Sequence, residues 1–215
     1  MIRRIAAFLI LILALCTLAS AQDKAAASKT AERPPVSYGL VVDNSGSFRT
    51  LFDRVLSSAS DVVDENGAED EAFLVTFVDT PKIVLRQEFT YRKSELHDAL
   101  QNMFIEGGQT AILDAVKSAA DYLSQNARTE DGRLRALVLV TDGEDRASVT
   151  KMEDVVNLLK EHHIRVFVIA MSDEKIQTKL IDRLAKETGG TVVISKTRAD
   201  LGAAVKQISA QMRTR

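Results

Sequence analysis

The sequence predicts an α/β protein: an open, doubly wound, mostly parallel six-stranded sheet with one antiparallel edge strand and helices on both faces. Two observations predict it. Short apolar, β-branched runs alternate along the chain with segments whose apolar residues recur every three or four positions, which is the strand–helix alternation of such sheets. One pair of runs is joined by too short a link to allow a crossover, so one strand must run antiparallel.

The strand segments are residues 37–43, 72–78, 82–89, 135–142, 164–171 and 191–195. All but 82–89 are near-continuous apolar runs, the pattern of strands covered on both faces. Residues 82–89 follow the second run after the tight turn Asp79-Thr80-Pro81, which permits a hairpin only. Helical spacing appears in Phe48, Leu51, Phe52, Val55, Leu56, Ala59, Val62 and Val63, and again in Ile112, Leu113, Val116, Ala119 and Leu123. Met152, Val155, Val156 and Leu159 repeat it, as do Ile176, Leu180 and Leu184, and finally Leu201, Val205, Ile208 and Met212. Thr150 with Glu153 has the spacing of a capping box for the helix that follows. His97 falls on a further helix face.

The N-terminus lies outside this pattern. Arg3 and Arg4 precede an apolar run, residues 5–18, too short to span a bilayer, and Ala19-Ser20-Ala21 supplies the small residues of a signal-peptidase cut before Gln22. Residues 1–21 therefore read as a cleaved signal peptide, which places the chain in the periplasm or outside the cell, with no membrane span after cleavage. The residues around the arginine pair lack the rest of a twin-arginine signal, and Leu15 before Cys16 is too large for a lipobox. Cys16, the only cysteine, leaves with the signal, so disulfides, thiolate catalysis and Cys-ligated zinc are excluded from the mature chain. Residues 22–35 are rich in Ala, Lys and small polar residues, end in two prolines and read as a flexible linker. Residues 36–215 form one domain. A formal charge of −2 over 215 residues gives no case for nucleic-acid binding, which needs a basic face.

Function in a doubly wound sheet sits at the carboxyl ends of the parallel strands, near the point where strand order reverses. The first strand ends in Asp43-Asn44-Ser45-Gly46-Ser47, which places one carboxylate and two hydroxyls on alternate positions, with Gly46 letting the backbone turn between the serines. The fourth ends in Thr141-Asp142-Gly143, bringing a second carboxylate to the same edge, and Gly107-Gly108-Gln109-Thr110 adds a hydroxyl just before a helix. An all-oxygen set with room for water suits a hard cation, Mg2+ or Mn2+, and not a metal that prefers imidazole or thiolate.

Asp-x-Ser-x-Ser after the first strand, a Thr after a Gly pair, and Asp-Gly after the fourth strand together resemble the metal-ion-dependent adhesion site of von Willebrand factor type A (VWA) domains, in order and spacing from Val36 to about Met212. Residues 107–114 and 141–146 further resemble the bacterial, acidobacterial-type branch of that family. The resemblance implies a Rossmann-like fold and roles for five residues: Ser45, Ser47 and Thr110 touch the metal through hydroxyls, while Asp43 and Asp142 mostly hold its waters. It also implies a protein partner that presents a carboxylate to the ion. An ion held mainly by neutral oxygens keeps much of its charge, so an acidic group from outside completes the shell.

Each of these residues also has a plain structural use. Asp43 and Asp142 can cap neighbouring helices, and Ser47 and Thr110 can be N-caps. Asp79, Glu144 and Asp145 read as solvated or structural. His162 and His163 end a helix, where the macrodipole favours positive charge, and adjacent helical positions point apart. The main rival function is a metal-dependent hydrolase with Glu144 or Asp145 as base; another is a structural ion with binding through a different face. No Gly-x-Ser-x-Gly elbow and no nucleotide-binding glycine motif occurs in the chain, so the expectation is a binding domain and not an enzyme. A cytosolic subunit working beside an ATPase motor, the role of some relatives, conflicts with the signal peptide.

Overall fold

The computed structural model of the chain describes residues 34–129, 132–173 and 176–214. The signal peptide and most of the linker, residues 1–33, lie outside the described residues. From Pro34 onward the chain forms a compact unit. Its strands are β1 (Val36–Asp43), β2 (Glu71–Phe77), β3 (Val84–Thr90), β4 (Leu134–Thr141), β5 (Ile164–Ala170) and β6 (Val192–Ile194). Its helices are α1 (Phe52–Asp64), α2 (Lys93–Gln101), α3 (Ile112–Asn126), α4 (Met152–Glu161), α5 (Thr178–Thr188) and α6 (Arg198–Met212).

The six strands stand in the order β3-β2-β1-β4-β5-β6. All neighbours pair in parallel except β2 and β3, which run antiparallel through an irregular register. The short link after β2 folds into a single 3-10 turn, Thr80–Lys82, and returns the chain along the sheet edge. Burial follows position in the sheet. Every residue of β1 and β2 is buried, whereas β3 exposes several of its residues, as an edge strand does.

Alternation along each strand divides the core in two. Tyr38, Leu40 and Val42 of β1 pack with Val55 and Val62 of α1, Leu96 and Leu100 of α2, and Val205 and Ile208 of α6. Val41 points the other way, joining Phe73 and Phe77 of β2 and the apolar stripes of α3, α4 and α5. Each large side chain so buried contributes roughly 1.5–3 kcal/mol relative to exposure. Gly39 has its own part in this face: a Cβ there would lie 2.3 Å from the Phe73 ring, so the missing side chain is what admits the phenyl group.

Three details differ from the sequence pattern. Phe48 and Leu51 continue the apolar spacing of the first helix, but Gly46–Phe48 forms a 3-10 turn and Leu51 is the N-cap of α1. The chain there completes the turn that carries both serines before it can enter a regular helix. Thr150 and Glu153 form no capping box: the N-cap of α4 is Lys151, without a side-chain cap, and the Thr150 N–H donates to Asp114 Oδ1 at 2.8 Å. A capping box does form on α6, where Thr197 and Asp200 exchange bonds. Ile176 lies before α5, which begins at Thr178.

Candidate metal centre at the carboxyl edge of the sheet

Strand order runs outward from β1 through β2 on one side and from β4 through β5 on the other, so it reverses between β1 and β4. The two crossovers leave on opposite faces there and open a crevice beyond the strand ends. Asp43 is the last residue of β1, and Asp142 directly follows β4. A cleft of about 570 Å³ at this edge is lined by Ser45, Ser47, Thr110 and Asp142, with Glu144, Arg146 and Asp173 also on its wall.

The predicted residues meet here. The Ser45 and Ser47 hydroxyl oxygens lie 3.0 Å apart, and Thr110 Oγ1 lies 3.4 Å from Ser45 Oγ. Beneath them Asp43 is fully buried; its Oδ1 accepts from the Ser45 N–H at 2.9 Å and its Oδ2 from the Thr141 hydroxyl at 3.1 Å. Asp142 Oδ1 accepts from the Glu144 N–H at 3.0 Å. Burial pushes the Asp43 carboxyl up to about 7, and the nearby Asp142 adds to the rise, against the pull of hydrogen bonds from Ser45 and Thr141.

The capping explanation does not hold for these side chains. The N-cap of α3 is Ala111, not Thr110, and α1 is capped by Leu51. The free N–H groups at the start of α3 are taken from the loop after β4 instead. Asp145 Oδ1 accepts from Ile112, and Ser148 Oγ accepts from Leu113 and Asp114. Asp145 is thus structural, as its place in the loop implied.

The loop that carries Thr110 is braced on three sides. Ala111 donates to the Val78 carbonyl at 2.7 Å, and the Thr110 carbonyl accepts from Arg146 and Ala147 at 2.8 and 3.0 Å. Lys82 Nζ donates to the Gly107 carbonyl at 2.6 Å. Gly108 has φ +150, and a Cβ there would lie 2.5 Å from Val78, so the approach of this loop to the end of β2 needs glycine. Asp114 ties the same region together. Burial raises its carboxyl, but hydrogen bonds from Thr150, Thr80 and Val149 outweigh that and hold it below the usual carboxylate range.

Sequence reasoning passed over several residues that shape the site. Thr141 holds the inner oxygen of Asp43, and nothing in its strand pattern distinguishes it from a core threonine. Asn44 points away from the cleft and fixes the neighbouring loop by donating to the Phe104 carbonyl at 3.0 Å. Arg146 pairs with Glu144 at 2.6 Å on the rim, and Thr50 donates to Asp173 at 2.8 Å across from them. The histidines lie elsewhere: His97 pairs with Asp64 at 3.0 Å, His162 is the C-cap of α4, and His163 follows with φ 54.

The donor chemistry fits a hard cation. Six oxygens at about 2.1 Å around Mg2+ place neighbouring ligands roughly 3 Å apart, close to the 3.0 and 3.4 Å from the Ser45 hydroxyl to those of Ser47 and Thr110. Asp43 brings a buried carboxylate that forms no ion pair among the described residues, so positive charge is wanted at this edge. Among the described residues no group of three or more His, Cys, Asp or Glu gathers at one point. The set here, two carboxylates and three hydroxyls, is of another kind.

Comparison with known proteins agrees with this architecture. The chain resembles the structure of BatB from Bacteroides thetaiotaomicron (17% identity, TM-score 0.67), over 83% of this chain and 100% of that one. It is similar to an aerotolerance-related membrane protein from Bacteroides fragilis (18% identity, TM-score 0.68), over 82% of this chain and 98% of that one. A von Willebrand factor type A structure from Catenulispora acidiphila matches at 15% identity and TM-score 0.70, over 83% of this chain but 43% of that one. No curated protein matches the chain. The family model of the von Willebrand factor type A domain matches residues 39–210, from within β1 to within α6, and the chain belongs to that family.

Proposed function

We propose that this VWA domain is exported and holds one Mg2+ or Mn2+ at Asp43, Ser45, Ser47, Thr110 and Asp142, and that the ion binds a carboxylate on a protein partner. The observation that carries this reading is the spacing of the three hydroxyls, 3.0 and 3.4 Å, at the mouth of an open cleft. Ser45, Ser47 and Thr110 would face the ion directly. Asp43 and Asp142 would hold its waters, since an oxygen of each is already engaged by a loop N–H. Neutral ligands leave the ion its charge, and the open cleft leaves it a free side for an acidic group.

Binding is favoured over hydrolysis by the state of the two candidate bases. Asp145 is held by the start of α3, and Glu144 is paired with Arg146. Each thus has one carboxylate oxygen already engaged, which service as a base at the ion would compete with.

Capture of the partner from envelope extract tests the reading. It should depend on Mg2+, vanish with EDTA, and be lost in Ser45→Ala and Thr110→Ala. Those two variants should retain the fold with a stability change of about 1 kcal/mol, the scale of one lost hydrogen bond. Replacing a single partner carboxylate by its amide should reproduce the loss. Capture that survives both chelation and Asp142→Ala would place the interface on another face. Export has its own check: N-terminal sequencing should find Gln22 first, and a soluble cytoplasmic chain beginning at Met1 would refute it.

A further inference from the structure

The loop after β4 sets opposite charges side by side on the wall of the metal cleft. Among the described residues that line it, Arg146 is the one cation, beside the acids Asp142, Glu144 and Asp173. Both Glu144 and Arg146 hang from the proposed ligands themselves. The Glu144 N–H donates to Asp142 Oδ1 at 3.0 Å, and the Arg146 N–H donates to the Thr110 carbonyl at 2.8 Å. Their backbones are thus tied to two different parts of the site. Their side chains meet on the rim, where the guanidinium donates to Glu144 Oε1 at 2.6 Å.

This pair is able to exchange. The Arg146 and Glu144 side chains are 58% and 40% exposed, and an ion pair so open to water contributes little to stability. Opening it leaves neither charge buried. The neighbouring carboxylates are held differently. Asp145 accepts from the N–H groups of Ile112 and Ser148, and Asp173 accepts from the Thr50 hydroxyl across the cleft. A planar guanidinium binds a carboxylate along fixed directions, so it can hold one oxygen while the other is engaged elsewhere. An acid that enters the cleft meets this fork with Glu144 already on it.

We propose that Arg146 is the second anchor of the partner's carboxylate, and that Glu144 is a built-in competitor which that carboxylate displaces. The inference rests on the reading of this cleft as a metal site for an acidic group, and it adds how the acid is chosen. A neutral oxygen donor cannot replace the charge that Glu144 gives Arg146. The pair therefore selects carboxylates over carbonyls and hydroxyls, and it sets the affinity for them.

Acetate is the probe that tests this. Paramagnetic relaxation of its methyl protons reads its binding to chains saturated with Mn2+, each checked by its own Mn2+ titration. Physiological salt screens the wider field of the protein. Arg146→Gln should weaken acetate binding about fivefold and Glu144→Gln should tighten it about as much, the upper end for an exposed ion pair. The opposite signs carry the test, because a merely disturbed loop would weaken binding in both variants. Asp173→Asn removes the same charge from the same wall without releasing Arg146, so it should tighten binding less than Glu144→Gln does. Equal tightening in those two, or an acetate affinity that Arg146→Gln and Glu144→Gln leave unchanged, overturns the proposal while the metal site stands. A wild-type chain that takes up no Mn2+, or takes it up and then binds no acetate, overturns the reading of the cleft as well.

Discussion

Ser45, Ser47 and Thr110 come from two distant pieces of chain, yet the Ser45 hydroxyl stands within hydrogen-bond reach of the other two over a buried carboxylate. The convergence has simple causes. A strand that ends in Asp43 delivers the carboxylate to the sheet edge, and the 3-10 turn from Gly46 to Phe48 keeps both serines on the cleft side. Asp43 itself carries a measurable consequence. With a chelator present, its carboxyl titrates near 7 in the folded chain against an ordinary value of 3.8. The folded state then keeps a proton that the unfolded chain has released, so stability from this group is full below pH 3.8 and is lost as pH rises to about 7. Denaturant midpoints measured in EDTA should therefore fall between pH 5 and pH 8 more steeply in the wild type than in Asp43→Asn. Parallel profiles would assign the buried charge elsewhere. Asp43, Ser45, Ser47 and Asp142 were legible in the sequence because each ends or follows a strand in a stretch without apolar side chains, and Thr110 because it follows a Gly pair just before a helix. Thr141 was not, because a hydroxyl at the last position of a buried strand looks the same whether it supports a carboxylate or the backbone.

At the scale of elements, strands were easier to place than helix ends. The apolar runs fixed six strands to within two residues, and the short link after the second run required the antiparallel edge that the structure has. Helix starts failed where tertiary contacts took over from local capping. Thr150 had the right spacing for a capping box, but Asp114, distant in sequence, holds both its N–H and that of Val149. Such a competitor is invisible to a local pattern. The loop after β4 depends on Gly143 in the same non-local way. Its φ is +84, and a Cβ there would stand 2.1 Å from the Gln177 carbonyl, whose residue also donates its N–H to Asp142. Gly143→Ala should therefore destabilise the domain by about 1–3 kcal/mol, the cost of a strained backbone position, and should weaken metal-dependent binding by displacing Asp142. A melting temperature equal to the wild type would show that the loop adapts freely.

For the molecule as a whole, the carboxyl edge of the sheet gathers Asp142, Glu144 and Asp173 around an oxygen-lined cleft, with Asp43 buried beneath it. The strands that lead to this edge are buried between two apolar layers that make a stiff frame for it. The central claim is that the carboxyl pole is a metal site of neutral oxygens set over Asp43 and Asp142. Crystals grown with Mn2+, with diffraction recorded above and below the manganese absorption edge, test it most directly. One anomalous peak is expected about 2.2 Å from the hydroxyl oxygens of Ser45, Ser47 and Thr110, the reach of an oxygen-bound ion of this class. A peak at another cluster, or none at the carboxyl edge at a saturating Mn2+ concentration, would contradict it.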